Sequence, residues 1–152
     1  MVRQLRKEIA VQSVEISTIA HATDNLEKVQ TGLRFILPDP LKDREIFIRR
    51  YLQGHHGNPI VTFDAKLTRP GEVGEFVKHF IVRLSSTERR KIERDLELHS
   101  DEDGNLYIRI DKQQAFRGIV QLSEEDPIRV RMKFSRFHGE PRDLMKNALE
   151  LE

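Results

Sequence analysis

The segment from Arg109 to Gly118, with the sequence RIDKQQAFRG, places three cations, one acid and two amides within ten residues. It follows an alternating apolar pattern at Leu106, Ile108 and Ile110, so it lies at the end of a predicted strand. Cations and amides in such a position can bind backbone phosphates or the polar surface of a partner. The segment has no nucleophile beside a base, and it therefore predicts binding rather than catalysis.

The most regular strand pattern of the chain, IRVRMKFSRF from Ile128 to Phe137, is a second candidate binding element. Apolar residues alternate there with cations, so we expect one buried side and one side that carries cations about 7 Å apart. This spacing approximates that of successive phosphates on one nucleic-acid strand. The alternative is a solvated sheet face, or an edge strand that its charges protect from aggregation. The cations of the row are Arg129, Arg131 and Lys133.

Aromatic side chains accompany cations on two other predicted strands. Tyr107 and Arg109 share the polar side of one strand, while Phe47, Arg49 and Tyr51 share one side of another. If these strands are neighbours, their common surface offers both phosphate contacts and partners for base stacking. The sequence therefore predicts a nucleic-acid face to which several strands contribute.

Metal binding and catalysis receive weaker support from the sequence. The adjacent histidines His55 and His56 are possible metal ligands, but the spacing of the other residues nominates no further ligand. The acidic turn that starts at Asp101 fails as a calcium loop, because Ile110 stands at the position that requires Glu. Phosphate-binding glycine loops, nucleophile elbows and HExxH motifs are absent from the sequence. We expect no catalytic residue, no metal, no cofactor and no small-molecule substrate.

The composition limits the class of protein. A chain of 152 residues can bury one core, and we expect a single domain over residues 1–152. Its 26 basic and 25 acidic residues nearly cancel, so a nucleic-acid partner would require cations that are segregated onto one surface. The absence of cysteine excludes disulfides and thiolate metal sites. No leader and no apolar stretch of about 20 residues is recognisable, which favours a cytoplasmic protein without a membrane partner.

The elements that must position these residues follow from hydrophobic periodicity. Capping-box patterns at Asp24 and at Ser85 each predict the start of a helix, and Pro141 predicts the start of a C-terminal one. The proline pair around Asp39 ends the first helix, and an apolar stripe from Val73 to Leu84 predicts another. Strands are predicted at Val14–Ala20, Ile46–Tyr51, Ile60–Leu67, Leu106–Ile110, Ile119–Leu122 and Ile128–Phe137.

Helices separate the early strands, and the late strands follow one another. This order predicts an α+β fold with a single mixed or mainly antiparallel sheet and helices packed on one face. Loops at separate strand ends often gather on one surface, but the sequence does not tell whether they do so here.

Three segments, in order, resemble a known family: HATDNLEKV at residues 21–29, GHHGNPI at residues 54–60 and NLYIRIDKQQAFRG at residues 105–118. The family is archaeal and is described as an RNA-binding domain or predicted exosome subunit. The resemblance implies a fold similar to that of the ribosomal protein that binds 5S ribosomal RNA, and an RNA-related role. It brings no catalytic residues. His56 departs from the pattern, because many members have Tyr there. The polar residues at matching positions are His21, Thr23, His55, Asn58, Arg109, Lys112 and Gln113.

The sequence and the resemblance together predict a non-catalytic RNA-binding protein associated with the exosome or other RNA-processing machinery. The alternative is a protein-interaction subunit of an RNA-processing or ribosome-associated complex that does not contact RNA itself. The partners expected are structured or single-stranded RNA and subunits of such a complex. The predicted RNA-binding residues are Arg49, His55, Asn58, Tyr107, Arg109, Lys112, Gln113, Arg117, Arg129, Arg131 and Lys133.

Overall fold

The computed structural model describes residues 10–150, which form five strands and seven helices. The strands are β1 (Val11–Ala20), β2 (Ile48–Gln53), β3 (Pro59–Leu67), β4 (Asn105–Ile110) and β5 (Ile128–Phe134). The helices are α1 (Leu26–Phe35), α2 (Asp39–Lys42), α3 (Pro70–Arg83), α4 (Ser86–Arg94), α5 (Leu96–His99), α6 (Lys112–Phe116) and α7 (Pro141–Leu149). A 3₁₀ turn, Arg136–His138, lies between β5 and α7. Within residues 10–150, no helix is long and apolar enough to cross a membrane.

The strands form one sheet in the order β2-β3-β1-β5-β4, and every neighbouring pair is antiparallel. Burial alternates along β5, where Ile128, Val130, Met132 and Phe134 are buried and the residues between them are not. Helices α3, α5 and α7 contact the sheet. The predicted α+β fold with a mainly antiparallel sheet is confirmed, and the sheet is antiparallel throughout.

The core lies between the sheet and the helices. The predicted stripe of α3 is fully buried, and the rings of Phe76 and Phe80 stack with centroids 5.4 Å apart. Phe63 from β3 and Phe134 from β5 are also among the largest fully buried side chains. Burying a side chain of this size contributes about 1.5–3 kcal/mol, so these aromatic residues hold the helical layer on the sheet.

The segment RIDKQQAFRG does not form an extended platform. After β4 ends, the Asp111 side chain accepts a hydrogen bond from the Gln114 N–H and caps α6. The predicted strand Ile119–Leu122 was wrong, because only an isolated bridge between Ile110 and Leu122 forms there. Helix α6 turns the chain away from β4. The segment after it therefore contacts the end of β4 only at that bridge and through two backbone hydrogen bonds, from the Asp111 N–H to the Gln121 carbonyl and from the Ser123 N–H to the Arg109 carbonyl.

Element boundaries differ from the predictions at several caps. Asn25 rather than Asp24 caps α1, since the Asn25 side chain accepts from the Lys28 N–H. The Ser85 cap of α4 is confirmed by the hydrogen bond from the Glu88 N–H. β5 ends at Phe134, three residues early, because Ser135 caps the 3₁₀ turn. β2 runs from Ile48 to Gln53 rather than from Ile46 to Tyr51.

The three family-like segments lie at the same end of the sheet. The register pairs Ala20 of β1 with Val61 of β3 and Ile110 of β4 with Ile128 of β5. Because all neighbours are antiparallel, the end of β1, the β2–β3 hairpin and the end of β4 lie at one end of the sheet. Helices α1 and α6 also pack against each other and bring the first and third segments into contact.

Candidate nucleic-acid interface

The face of the sheet that the helices do not cover, called here the open face, is built by the strand register. Arg129 of β5 lies opposite Arg109 of β4, and Arg131 lies opposite Tyr107. Lys133 continues the row along β5 and is exposed. The structure therefore brings together the two strands from which cations were predicted. The charged and aromatic residues of the open face are Glu15, Arg50, Asp64, Lys66, Tyr107, Arg109, Arg129, Arg131 and Lys133.

The open face is cationic although the chain is nearly neutral. It holds six cations and two acids, which leaves 20 basic and 23 acidic residues for the rest of the 26 and 25. The open face therefore has a net charge of +4, while the remainder of the chain has a net charge of −3. A nearly neutral chain needs its cations segregated onto one surface if it is to bind nucleic acid, and the open face provides such a surface.

Acidic neighbours already engage two of these cations. Arg131 forms an ion pair with Glu15, its neighbour across β1 and β5. Arg109 lies 4.0 Å from the Glu124 carboxylate. Arg129 and Lys133 are exposed and form no ion pair with any residue in 10–150. These two side chains can thus bind an anion without breaking an ion pair to another residue in 10–150.

Tyr107 is held in place by the turn that precedes β4. Its hydroxyl donates to the Asp101 carboxylate at 2.9 Å, and the Arg109 guanidinium lies 5.8 Å from the ring centroid. Burial, together with the hydrogen bond and charge of Asp101, raises the pKa of the Tyr107 hydroxyl, which stays protonated. Asp101 also accepts from the N–H groups of Asp103 and Asn105. Burial by itself would raise the pKa of Asp101, but these hydrogen bonds outweigh it and lower the pKa.

Two cations of the open face were missed by the sequence analysis. Lys66 on β3 lies opposite Glu15, and Arg50 on β2 lies opposite Thr62. The alternation of Phe63, Ala65 and Leu67 could have placed Lys66 on the polar side. Nothing equivalent exists in β2, whose six residues are all exposed, so Arg50 could be assigned only from the register.

Arg49 and Tyr51 lie on the opposite face of β2, and β2 is not a neighbour of β4, so the condition for a surface shared with Tyr107 and Arg109 is not met. They pair with the core-facing residues Phe63 and Val61. The Arg49 guanidinium lies 5.6 Å from the Phe63 ring centroid, and the Gln30 amide, in the orientation that satisfies both groups, accepts from it at 2.8 Å. Arg49 therefore lines a cleft of about 480 Å³ between α1 and β2, away from β5.

Lys112 has a structural position, which corrects its assignment as a phosphate contact. Its side chain is 3% exposed, and its ammonium donates to the Ile19 carbonyl at 2.7 Å, to Asp24 at 2.8 Å and to Asp126 at 2.6 Å. A buried ammonium with three partners cannot reach an RNA backbone. It instead ties together the ends of β1 and β4 and the chain before β5.

The carboxylates around Lys112 are the best ligand set for a metal within residues 10–150. Ligand atoms of His21, Asp24 and Asp126 lie within 4.8 Å of one another. Asp126 has a φ of 43°, and it accepts from Lys112 and lies 3.0 Å from His21 Nε2. The Lys112 ammonium already supplies the positive charge between the two carboxylates. The arrangement therefore serves as an internal ion pair.

The pKa of the Asp24 carboxyl reflects its contact with Lys112. Burial alone would raise the pKa of the Asp24 carboxyl, but hydrogen bonds from Lys112 and the His21 N–H, together with the ammonium charge, lower it overall. The carboxylate thus stays ionised in a mostly buried position. The predicted capping role of Asp24 is replaced by this contact.

The remaining predicted residues lie near the end of the sheet where the three family-like segments meet. His55 and Asn58 are exposed in the β2–β3 hairpin, where the Gly54 N–H donates to the Asn58 carbonyl. Gln113 and Arg117 are exposed on and just after α6. None of these four side chains belongs to the open face, so they form a separate group at its end.

Fold and site together define a class of protein: a small α+β protein whose helices cover one side of an antiparallel sheet and leave a cationic side open. The family is identified by comparison with known proteins. The chain belongs to the family whose description is RNA binding, and the family model matches residues 13–134. This membership confirms the resemblance noted in the sequence.

Relatives extend over almost the whole chain. A protein of Pyrococcus abyssi named RNA-binding protein PAB1135 is 32% identical over 145 residues, which are 94% of each chain. The crystal structure of AF2318 from Archaeoglobus fulgidus, a DUF54 protein, superposes with a TM-score of 0.76 and 29% identity and covers 93% of this chain and 99% of that one. Mth689 from Methanothermobacter thermautotrophicus, also a DUF54 protein, gives 0.71 and 25%, with 92% and 98% covered.

Proposed function

We propose that this protein binds RNA through the open face of its sheet and does so without catalysis. The single observation that carries the proposal is the segregation of six cations onto the open face of a chain whose net charge is only +1. Membership of a family described as RNA binding, and a relative named as an RNA-binding protein, support RNA as the polyanion.

The backbone of the RNA is the part that this surface suits best. Arg129, Arg131 and Lys133 follow one another on the same side of β5, about 7 Å apart, and can each take a phosphate. Tyr107 is the one aromatic residue among the described strand positions that face this side, so stacking is limited to about one base. Affinity should therefore depend mainly on phosphates and little on base sequence.

The cations contribute unequally to this proposal. Arg129 and Lys133 bind phosphates directly, while Arg131 and Arg109 must first loosen their contacts with Glu15 and Glu124. Arg50 and Lys66 extend the cationic surface toward β2, where they can contact a longer RNA strand. The separate group of four residues at the end of the sheet can contact RNA that extends beyond the open face: His55, Asn58, Gln113 and Arg117.

Salt-dependent binding tests the function. Fluorescence anisotropy would measure the affinity for an unstructured RNA, a structured RNA and a double-stranded DNA at several salt concentrations. We expect preference for RNA and a slope of log K against log salt of about −2 to −4, since each neutralised phosphate on a single strand contributes about −0.7. Absence of RNA binding at low salt would contradict the proposal. RNA that stays intact with added divalent ions is expected for a non-catalytic protein.

A second candidate function is contact with protein subunits of RNA-processing machinery, the exosome included. The observation that favours it is the mixed character of the chain around α6, where polar, cationic and apolar side chains are all exposed within one short stretch: Gln113, Phe116, Arg117 and Ile119. A surface of this mixed character is better suited to binding another protein than to binding a row of phosphates. A complex that survives nuclease digestion in a pull-down would favour this function, and loss of every partner with the RNA would count against it.

A further inference from the structure

We propose that two copies of the chain pair through the free edge of β2 and join their sheets into one. Three of the large apolar side chains that are exposed within residues 10–150 belong to this strand: Ile48 is 59% exposed, Tyr51 70% and Leu52 49%. An exposed edge strand with apolar residues and no proline or bulge invites pairing with another strand. The proposal goes beyond RNA binding and does not depend on it.

The opposite edge of the sheet lacks this property. The outer side of β4 is bridged at Leu106 by Ser100 and at Ile110 by Leu122. The Arg109 carbonyl accepts from the Ser123 N–H at 3.0 Å. Within residues 10–150 no hydrogen bond reaches the outer side of β2, so β2 is the edge that is left unpaired.

The hairpin shows which backbone groups of β2 point outward. The Gly54 N–H donates to the Asn58 carbonyl, and in an antiparallel ladder such bonded positions alternate with positions whose groups point away. Pro59, which has no N–H, lies opposite Gln53, as expected of a position without a bond to β2. The N–H and carbonyl groups of Arg49, Tyr51 and Gln53 therefore point away from β3, to the outer side of β2.

A two-fold axis at Tyr51 satisfies all of these groups. Tyr51 then pairs with Tyr51 of the second copy, and Arg49 pairs with Gln53 in both directions, which makes about six hydrogen bonds. A two-fold axis at Arg50 makes about four and places two arginines directly opposite each other, which is destabilising. With the axis at Tyr51, Arg50 instead faces Leu52. Hydrogen bonding therefore favours the axis at Tyr51, and the arginine pair counts further against the axis at Arg50. The edge of β2 is complementary to the same edge of a second copy of this chain.

The mass of the full chain in solution tests this pairing. Sedimentation equilibrium at chain concentrations up to about 0.1 mM should show a dimer. Tyr51→Pro should abolish it, because it removes an outward N–H that the β2–β3 ladder does not use. A chain that is monomeric throughout, or a dimer that tolerates Tyr51→Pro, would overturn the proposal.

Two substitutions at Gln53 test the register, and they decide the matter even if Tyr51→Pro does not fold. Gln53→Glu places a carboxylate opposite Arg49 twice in the dimer and should tighten association roughly twofold to thirtyfold, while Gln53→Arg should weaken it by a similar factor. With the axis at Arg50, residue 53 has no partner in the other strand. Equal dimer affinity for both variants would therefore contradict the proposed pairing.

Discussion

Replacement of Lys112 by Met is expected to lower the free energy of unfolding by about 3 kcal/mol. Removal of one member of a buried ion pair typically costs about 3–5 kcal/mol, because the partner charges are left without compensation. The lower end applies here, since Asp24 is mostly buried whereas the Asp126 side chain is 46% exposed and can be solvated by water. The Ile19 carbonyl also loses its donor.

Urea denaturation of the wild type and of two lysine variants would measure this effect. Lys78→Met, on the exposed surface of α3, is the matched control and should change stability by less than about 0.5 kcal/mol. A loss below about 1 kcal/mol for Lys112→Met would contradict the structural role. Asp24→Asn added to Lys112→Met should recover part of the loss, because the two residues are in direct contact.

The pH dependence of stability also tests the role of Lys112, because the pKa of Asp24 should shift in opposite directions in the wild type and in Lys112→Met. In the wild type the pKa of Asp24 is lowered, so its contribution is complete above the ordinary Asp pKa of about 4 and is lost as the pH falls through the lowered folded value. Without Lys112, burial is expected to raise this pKa instead. The stability difference between wild type and Lys112→Met should therefore shrink as the pH is lowered toward 4.

Reversal of two charges on the open face, Arg129→Glu with Lys133→Glu, is expected to reduce RNA affinity about 100-fold. Each residue is proposed to make a charge-assisted contact, and two such contacts are worth about 3 kcal/mol or more together. The slope of log K against log salt should also become shallower by about 1.4 for a single strand. Neither side chain has an ion-pair partner within residues 10–150, so the fold should tolerate the change.

A matched pair on the helical side controls for bulk charge. Arg90→Glu with Lys91→Glu changes one arginine and one lysine on the exposed surface of α4 and alters the net charge by the same amount. We expect it to weaken RNA binding less than about threefold. Equal losses for both double variants would show that net charge, rather than the open face, controls affinity.

Much of the fold could be predicted from local patterns. The alternation in β5 identified both its buried and its cationic side, and the stripe of α3 identified a buried helix. β2 has no such guide, because all six of its residues are exposed, so the sequence does not tell which of its sides joins the open face. The register with β3 alone shows that Arg50 rather than Arg49 joins the open face.

The role of Lys112 could not be read from the sequence, because its partners are distant. Asp24 lies 88 positions away, Ile19 lies 93 positions away and Asp126 lies 14 positions away. A lysine between Asp111 and Gln113 looks like part of a polar surface until the ends of three strands are brought together. The same contact explains why Asp24, despite its capping-box spacing, leaves the cap of α1 to Asn25.

The most direct test of RNA binding by the open face is a titration of the isotopically labelled protein with an unstructured RNA, followed by amide chemical shifts. We expect the largest shifts on β5 and β4, at Arg129, Arg131, Lys133 and Tyr107, and no shifts on α4. Shifts confined to α6 and the β2–β3 hairpin, or no shifts at low salt, would contradict it.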